Sequence, residues 1–463
     1  MKLTNTLTKS KDDLQPLKPG HIKLYSCGPT VYHYYHIGNL RNAIFNDTLK
    51  RVLIANGLKV DHIMNITDVG HLSSDADEGG DKLQSRADEE GKTVWEVAEF
   101  YTDAFMKDMQ ALNVIPPAKY VKATSAIEQQ IRMVQVLLDK GFAYQAEQAI
   151  YFDVSKLDDY GKLTDQKLTD KEIGARSDVV TDPEKRNPQD FALWFFTVGH
   201  FKDHQMRWET PWGEGFPGWH LECSAIIAQE LGETIDIHTG GVDHIGTHHT
   251  NEIAQSEAAN DGAPLANVWL HNEFLLVDNT KMSKSLGNTY TLDDIVRHGY
   301  NPMALRLLYL QSHYRSQQNF TFETLEAANN LLLRLQAWAD AQFQPGRKTL
   351  SDTTFKNYQG RILTALNDDL NTPQAMVAIS QLLDEADTGS FPTAEQVAWL
   401  ESLLGLRLDE RQDITAEHKA VITEREAARK NKDYEVADLA REQLEEESIL
   451  LDDTDFGPRW YRC

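Results

Sequence analysis

The chain has 463 residues, too many for one hydrophobic core, which predicts about two to four domains. A hydrophobic content of 41% is typical of soluble globular proteins, and no apolar run approaches the roughly 18 residues of a membrane span. The net charge of −25 argues against a nucleic-acid partner unless cations are gathered locally, while three cysteines and no apolar leader predict a cytosolic protein without a disulfide framework.

A strand, a helix and a second strand are predicted in succession near the start of the chain. Residues 22–27 resemble a buried strand that ends before a Gly-Pro pair, apolar residues recur at helical spacing over 40–55, and 60–65 resemble another strand. Such a βαβ unit predicts a parallel sheet that binds ligands at the carboxyl ends of its strands. The turn at 36–39 should lie at that edge.

The rest of the chain divides into an insertion and a helical part. A helix is predicted over 93–112, and residues 118–205 are interpreted as an insertion with one helix and one hairpin. Strand patterns resume at 234–238 and 268–277. Beyond about residue 300 the pattern is helical, over 323–343, 356–386, 393–405 and 415–447. The predicted fold class is α/β: a Rossmann-like parallel-sheet domain with an α+β insertion, followed by an all-helical C-terminal half.

Two short segments suit phosphate groups. His36-Ile37-Gly38-Asn39 places a ring nitrogen and a glycine where a helix begins, and the free N–H groups of a helix start favour anions. The loop Lys281-Met282-Ser283-Lys284-Ser285 carries two lysines. Each segment taken alone is also compatible with an ordinary helix start or an exposed soluble loop.

Candidate metal ligands lie in other segments. His248 and Glu252 are four residues apart in a stretch that favours a helix, so both side chains share one face and could hold one ion. Cys27 ends the first strand, and Cys223 lies within 218–224. The residues alone leave open that the cysteines are small buried apolar groups and that the His/Glu pair is a solvated helix face.

The two phosphate-binding segments resemble the HIGH and KMSKS signatures of class I aminoacyl-tRNA synthetases, with Asn39 replacing the second histidine. Other segments, in family order along nearly the whole chain, resemble cysteinyl-tRNA synthetases: 26–32, 65–68, 218–224, 236–243, 248–257 and 429–441. The resemblance implies an ATP-dependent ligase that converts L-cysteine to cysteinyl adenylate and pyrophosphate. It then transfers cysteine to the terminal adenosine of cysteine tRNA.

The resemblance further implies one zinc ion per chain in the amino-acid pocket, held by Cys27, Cys223, His248 and Glu252. His249 is an alternative to His248. Thr250 replaces a glutamate that the family often has, at a position not matched to the metal. Such a zinc would separate cysteine from serine, because sulfur is softer and loses its proton far more readily than a hydroxyl.

The resemblance also implies where the small substrates bind. ATP, accompanied by magnesium, is expected to contact His36, Gly38, Asn39, Lys281, Ser283 and Lys284. Of these, the groups expected to stabilise negative charge during the reaction are His36, Asn39, Lys281 and Lys284. Cysteine is expected near Gly28, Thr67, Trp219, His238 and Asp243. Asp243 would pair with the ammonium group, whereas Trp219 is equally compatible with a core position.

Contacts with tRNA are expected at two cationic places. Residues 295–322 contain no Asp or Glu and resemble the stem-contact region of the family, while the C-terminal helices would reach the anticodon. The residues expected to contact tRNA are Arg306, Arg315, Arg429, Lys432 and Trp460. Each cation cluster could instead be a solvated face, and Trp460 could either stack on an unpaired base or fix the tail to the last helix.

These features predict a catalytic domain (1–117 and 206–295), a connective insertion (118–205), a stem-contact region (296–322), a helical bundle (323–408) and an anticodon-binding region (409–463). The protein is expected to be cytoplasmic, monomeric and not membrane-bound.

Three other functions fit parts of the pattern. A ligase of the mycothiol type, which joins cysteine to an amino-sugar, would share the ATP and zinc sites but has no use for the C-terminal basic helix. A zinc hydrolase would use the His/Glu pair, yet the sequence lacks the His-Glu-x-x-His arrangement. A nucleotide-binding regulatory protein is the third alternative.

Overall fold

The computed structural model describes residues 1–70, 81–164, 184–283, 286–344, 348–387, 389–455 and 457–462. The strands are β1 (Lys2–Asn5), β2 (Ser10–Asp13), β3 (His21–Ser26), β4 (Lys59–Ile66), β5 (Lys119–Lys122), β6 (Ala143–Gln145), β7 (Ala149–Phe152), β8 (Phe191–Phe196), β9 (Gly215–Pro217), β10 (Ile235–Gly241), β11 (Ala266–Asn272), β12 (Leu275–Val277), β13 (Thr280–Lys281), β14 (Gln318–Phe320), β15 (Lys348–Thr349), β16 (Ser390–Phe391), β17 (Ile449–Thr454) and β18 (Gly457–Arg462). The helices are α1 (Ile37–Ala55), α2 (Lys82–Glu90), α3 (Val94–Ala111), α4 (Ile127–Asp139), α5 (Trp219–Glu230), α6 (His248–Ala259), α7 (Leu292–Arg297), α8 (Pro302–Leu310), α9 (Phe322–Asp340), α10 (Asp352–Leu366), α11 (Thr372–Asp387), α12 (Ala394–Leu404), α13 (Ala416–Lys430) and α14 (Tyr434–Glu446).

A parallel five-stranded sheet, ordered β11-β10-β3-β4-β5, forms the centre of the catalytic part. The crossover from β3 to β4 runs through α1, whose Leu40, Leu49 and Leu53 are fully buried. Burial of this apolar helix against the sheet and the neighbouring helices stabilises the βαβ unit. The predicted α/β class is confirmed.

The order of the strands determines where a ligand can bind. The chain continues from β3 to β4 on one side, whereas β10 joins β3 on the other side. In parallel sheets, the crevice for ligands opens at such a reversal, beyond the carboxyl ends of the two strands. Cys27 follows β3 directly, and its N–H donates to the carbonyl of Thr239 in β10.

The inserted segment forms an antiparallel sheet ordered β6-β7-β8-β9. The predicted hairpin corresponds to β6 and β7, and the predicted helix to α4. Both predicted limits of the insertion need correction. Strand β5 pairs with β4 in the central sheet, and β9 extends the inserted sheet beyond residue 205.

The C-terminal half is mostly helical but ends differently from the prediction. Helices α9 to α14 account for most of it, while β17 and β18 form an antiparallel hairpin where continued helix was predicted. Ile449, Leu451 and Trp460 of this hairpin are buried against Leu444 of α14. An alternation of buried and more exposed side chains along β17 favours a strand over a helix.

A buried ionic cluster joins the sheet domain to the helical bundle. Arg306 in α8 is fully buried, and its guanidinium forms an ion pair with Asp47 of α1. The same guanidinium donates to the carbonyls of Leu404 and Leu112, and Arg51 also pairs with Asp47. The prediction that Arg306 contacts tRNA is therefore wrong, because its side chain cannot reach a phosphate at the surface.

Among the described residues, no helix has the length and apolar character needed to cross a bilayer.

Candidate active site

A cleft of about 520 Å³ opens at the reversal between β3 and β10. The residue after β3, the end of β4, the start of α1, the start of α5 and the loop after β13 all contribute to its wall. Most of the residues predicted to bind metal, nucleotide and amino acid therefore lie around one cavity.

Four candidate metal ligands converge at the inner end of the cleft. Donor atoms of Cys27, Cys223, His248 and Glu252 all lie within 4.8 Å of one another, and all four residues are buried. Nε2 of His248 lies 2.9 Å from a Glu252 oxygen and 3.6 Å from Sγ of Cys223. Cys27 is held at a strand end, while the other three are held by α5 and α6. The i, i+4 spacing on α6 brings its two ligands to one face.

A second set of donors overlaps the first. Cys27, His238, His249 and Glu252 also have donor atoms within 4.8 Å of one another. Nε2 of His238 lies 2.8 Å from Oε2 of Glu252, and its ring stacks on Trp269 at 4.6 Å. His238 is fully buried behind Glu252 and does not line the cleft, although a contact with cysteine was predicted for it. The imidazole of His238 instead contacts the Glu252 carboxylate and holds it in place.

The protonation of the cluster reflects its burial and charge. Burial and the hydrogen bond with Cys223 raise the pKa of the Cys27 thiol well above its usual range. Burial opposes charge on His248, but the carboxylate of Glu252 and the hydrogen bonds with Cys223 and Glu252 together raise the pKa of His248 to about 10. Burial likewise opposes charge on Glu252, yet His238 and His248 hold its pKa below the usual range. The buried carboxylate of Glu252 thus retains the imidazolium of His248 beside it.

This donor set fits a zinc ion. Two thiol sulfurs, one imidazole nitrogen and one carboxylate oxygen are the ligand types that zinc takes, and four ligands match its usual number. Nδ1 of His248 lies 3.0 Å from Nδ1 of His220, which leaves Nε2 turned toward the cluster. Outer contacts of this kind orient metal-binding histidines.

His249 is held by a separate chain of polar groups. Its Nδ1 lies 2.7 Å from Nε2 of His271, whose Nδ1 lies 2.7 Å from the hydroxyl of Thr6. Burial, together with the neighbouring His238, lowers the pKa of His249 well below its usual range. A neutral His249, 3.2 Å from Sγ of Cys27, can therefore orient that sulfur.

The segment 36–39 begins α1 with a reciprocal cap. Nδ1 of His36 accepts from the N–H of Asn39, and the Asn39 side chain accepts from the N–H of His36. The terminal methyl group of Met282 lies close to Gly38, so the two signature segments are in contact. The two segments are brought together across the cleft.

The second signature lies on the opposite wall. Lys281 in β13 and Ser283 both line the cleft, and the ammonium of Lys281 lies 5.3 Å from the ring centre of Phe274. The N–H of Ser283 donates to the side chain of Asn288. Lys284, predicted to contact ATP, lies outside the described residues.

The residues predicted to surround the amino-acid backbone lie next to the metal ligands. Gly28, Thr67, Trp219 and Asp243 all line the cleft. The Trp219 ring packs on that of His248 at 4.3 Å, so it borders the cavity and does not lie in the core. The Asp243 side chain is 60% exposed and is accessible to a substrate.

The residues predicted to contact tRNA lie apart from the cleft. The half-exposed Arg315 and Arg429 form ion pairs with Asp369 and Asp453 respectively, and Lys432 is exposed.

Trp460 is 5% exposed, and its ring is parallel to that of Phe343. The prediction of a Trp460 surface that stacks on a base is wrong here, because the ring fixes the tail to the end of α9.

Three residues of the site escaped the sequence analysis. Glu222, His220 and Asn65 are buried beside the ligands, although all three fall within segments quoted for the family resemblance. Their positions in those segments were the available signal. What each contacts depends on the approach of distant elements, and local periodicity does not indicate that approach.

Comparison with known proteins identifies the family of the chain. A family model described as the tRNA synthetases class I (C) catalytic domain matches residues 13–330. The cysteine–tRNA ligase of Treponema denticola is 40% identical over 491 residues, covering 99% of both chains. That of Thermus thermophilus is 41% identical over 478 residues, covering 98% of both.

Solved structures agree on the fold alone. The methionyl-tRNA synthetase of Mycobacterium tuberculosis with methionyl-adenylate has a TM-score of 0.60 and 15% identity, covering 84% of this chain and 90% of that chain. A leucyl synthetase ternary complex from Agrobacterium radiobacter, LeuRS-tRNA-LeuAMS, has a TM-score of 0.62 and 13% identity, covering 86% of this chain and 85% of that chain.

Proposed function

The chain belongs to the cysteine–tRNA ligases of the class I tRNA synthetases and is a ligase, and from this premise we propose how its site activates and transfers cysteine. The reaction has two steps: L-cysteine and ATP give cysteinyl adenylate and pyrophosphate, and cysteine then passes to cysteine tRNA. The observation that carries the proposal is the convergence of Cys27, Cys223, His248 and Glu252 beside the cleft that both signature segments line.

Recognition of the substrate side chain takes place at the inner end of the cleft. Cys27, Cys223, His248 and Glu252 would hold a zinc ion, which would supply a position that takes the thiolate of cysteine and rejects the hydroxyl of serine. The protein must supply two deprotonated sulfurs and a neutral His248 to hold that ion, so metal uptake releases protons. His238 and His220 keep the carboxylate and the imidazole turned toward the site.

The other end of cysteine lies along the loop after β3. Gly28 allows this loop to pack closely on β4, because a Cβ atom at position 28 would collide with the carbonyl of Asn65. Thr67 and Asp243 offer oxygen atoms to the ammonium group, and Trp219 covers the pocket. The carboxylate is thereby left to point toward the nucleotide.

Activation depends on charge stabilisation at the α-phosphorus of ATP. An oxygen of the cysteine carboxylate attacks that phosphorus, and the bond to pyrophosphate breaks. His36 and Asn39 at the start of α1 face Lys281 across the cleft, and these groups stabilise the negative charge that develops. Lys284 and a magnesium ion with ATP complete the proposed set.

Transfer follows when a ribose hydroxyl of the terminal adenosine of tRNA attacks the carbonyl of the adenylate and releases AMP. We assign tRNA contacts to Arg315, Arg429 and Lys432, and we retain residues 296–322 as the stem-contact region and 409–463 as the anticodon-binding region. A cytoplasmic monomer belongs to the same proposal.

The test combines two assays on purified protein. Cysteine-dependent ATP–pyrophosphate exchange is expected, followed by charging of purified cysteine tRNA. Exchange without charging, together with transfer to an amino-sugar, would favour the mycothiol-type ligase. Absence of exchange would contradict the proposed activation step.

A further inference from the structure

A chain of buried polar groups connects the loop after β3 to α5. The N–H of Gly28 donates to Oδ1 of Asn65 at 2.7 Å, and Nδ2 of Asn65 donates to the hydroxyl oxygen of Thr67 at 2.9 Å. That hydroxyl in turn donates to Oε2 of Glu222 at 2.7 Å. Asn65, Thr67 and Glu222 are all buried, with exposed fractions of 2%, 2% and 0%.

The donor and the acceptor of each hydrogen bond between Gly28 and Glu222 follow from the chemical groups involved. A backbone N–H can only donate, so the Asn65 carbonyl oxygen must face Gly28 and its amide nitrogen must face Thr67. An amide nitrogen also can only donate, so the Thr67 oxygen accepts from it. Because the Thr67 oxygen accepts from Asn65, its own hydrogen is left to donate, and Oε2 of Glu222 lies 2.7 Å away to accept it.

The consequence is a defined polarity for Thr67. Its only hydroxyl hydrogen is committed to Glu222, and one of its two lone pairs is committed to Asn65. The remaining lone pair can accept a hydrogen bond and cannot donate one. Thr67 lines the cleft beside Cys27, and its backbone is fixed by hydrogen bonds with Pro29 and Val31.

We propose that Glu222 is a positioning residue that makes Thr67 an acceptor for the α-ammonium group of the amino-acid substrate. The inference rests on the proposed function, in which the sulfur of cysteine is held near Cys27. Only two carbon atoms separate that sulfur from the ammonium nitrogen, so the nitrogen must lie close to the ligands. An acceptor-only Thr67 suits the ammonium group and disfavours the carboxylate, and this preference orients the substrate.

Replacement of Glu222 by glutamine tests this hydrogen-bond geometry at constant side-chain size. A glutamine at this position would keep the size and an acceptor oxygen but remove the charge. It would also bring a donor that could reverse the Thr67 hydroxyl.

The test compares two ligands that differ in the ammonium group alone. Cysteine and 3-mercaptopropionate share a thiol and a carboxylate. Calorimetry measures the affinity of each for the zinc-loaded wild-type protein and for four variants: Thr67→Val, Thr67→Ser, Glu222→Gln and Asp243→Asn. We expect Thr67→Val and Glu222→Gln to weaken cysteine binding by about ten- to a hundredfold. Binding of 3-mercaptopropionate should change by less than about threefold. Thr67→Ser, which retains the hydroxyl group, should keep the wild-type preference for cysteine.

Three results would overturn the inference. Equal weakening of both ligands would show that the residues only support the shape of the pocket. Unchanged cysteine binding in Thr67→Val and Glu222→Gln would remove Thr67 from recognition. A selective loss in Asp243→Asn without one in Thr67→Val would assign the ammonium to Asp243. Failure of the wild-type protein to catalyse cysteine-dependent exchange would contradict the proposed function. The ligand comparison would still test the roles of Thr67 and Glu222, because it measures binding and not exchange.

Discussion

Replacement of the buried Arg306 by methionine tests the assignment of this arginine to the domain junction. Methionine retains much of the apolar stem, but it removes the ion pair with Asp47 and the donors to the carbonyls of Leu404 and Leu112. Breaking a buried pair costs about 3–5 kcal/mol because it leaves an uncompensated charge. Arg51 and the N–H of Ile115 still bind Asp47, so we expect a loss near the lower limit.

Arg297→Met is the matched control, since this arginine lies in the same acid-free segment. Its side chain is 73% exposed, and its ion pair with Asp293 spans a single helical turn. Exposed pairs of this kind contribute less than about 1 kcal/mol. Urea unfolding followed by circular dichroism should therefore separate the two variants clearly, with Arg306→Met shifted to a much lower midpoint.

The same variants test the corrected view of tRNA binding. At a temperature where Arg306→Met remains folded, its KM for tRNA and the salt dependence of that KM should equal those of the wild type. A stability loss no larger than that of the control would refute the reasoning. So would a weaker salt dependence, because that is the signature of a lost phosphate contact.

Three further predictions concern the site and its surroundings. Cys223→Ser should lower bound zinc, measured by atomic absorption, and reduce cysteine-dependent exchange by at least about a hundredfold; retained zinc would contradict the ligand assignment. Lys281→Ala should lower kcat for exchange by about a hundredfold with little change in the KM for cysteine, whereas a change in KM alone would place Lys281 in ground-state binding. Burial and the nearby Asp293 raise the pKa of Asp108 to about 7, so the folded protein holds a proton that the unfolded chain releases at lower pH, and stability is lost as pH rises toward 7. Asp108→Asn should thus raise the melting temperature more at pH 8 than at pH 5, and an equal gain at both values would contradict that pKa.

The elements that depend on residues close together in the chain were predictable from the sequence. The β3-α1-β4 unit has strand and helix periodicities separated by turn residues, and the structure contains all three elements. The relation of His248 to Glu252 also followed from helical spacing. These features depend on residues that are close together in the chain.

The features that escaped prediction depend on distant partners. Arg306 is a single cation within the apolar helix α8, a pattern that indicates burial, but its partner Asp47 lies 259 residues earlier. The contact between Thr67 and Glu222 spans 155 residues, and the packing of Trp460 on Phe343 requires the hairpin to fold back onto α9. Local sequence patterns carry no information on such pairings.

The central claim is that a metal centre of two thiols, one imidazole and one carboxylate selects cysteine before transfer. ATP–pyrophosphate exchange with cysteine and with serine, measured before and after removal of metal by a chelator and again after zinc is restored, tests this directly. We expect exchange with cysteine alone, its loss on chelation and its return with zinc. Exchange with cysteine that persists in metal-free protein, with serine still rejected, would contradict the account.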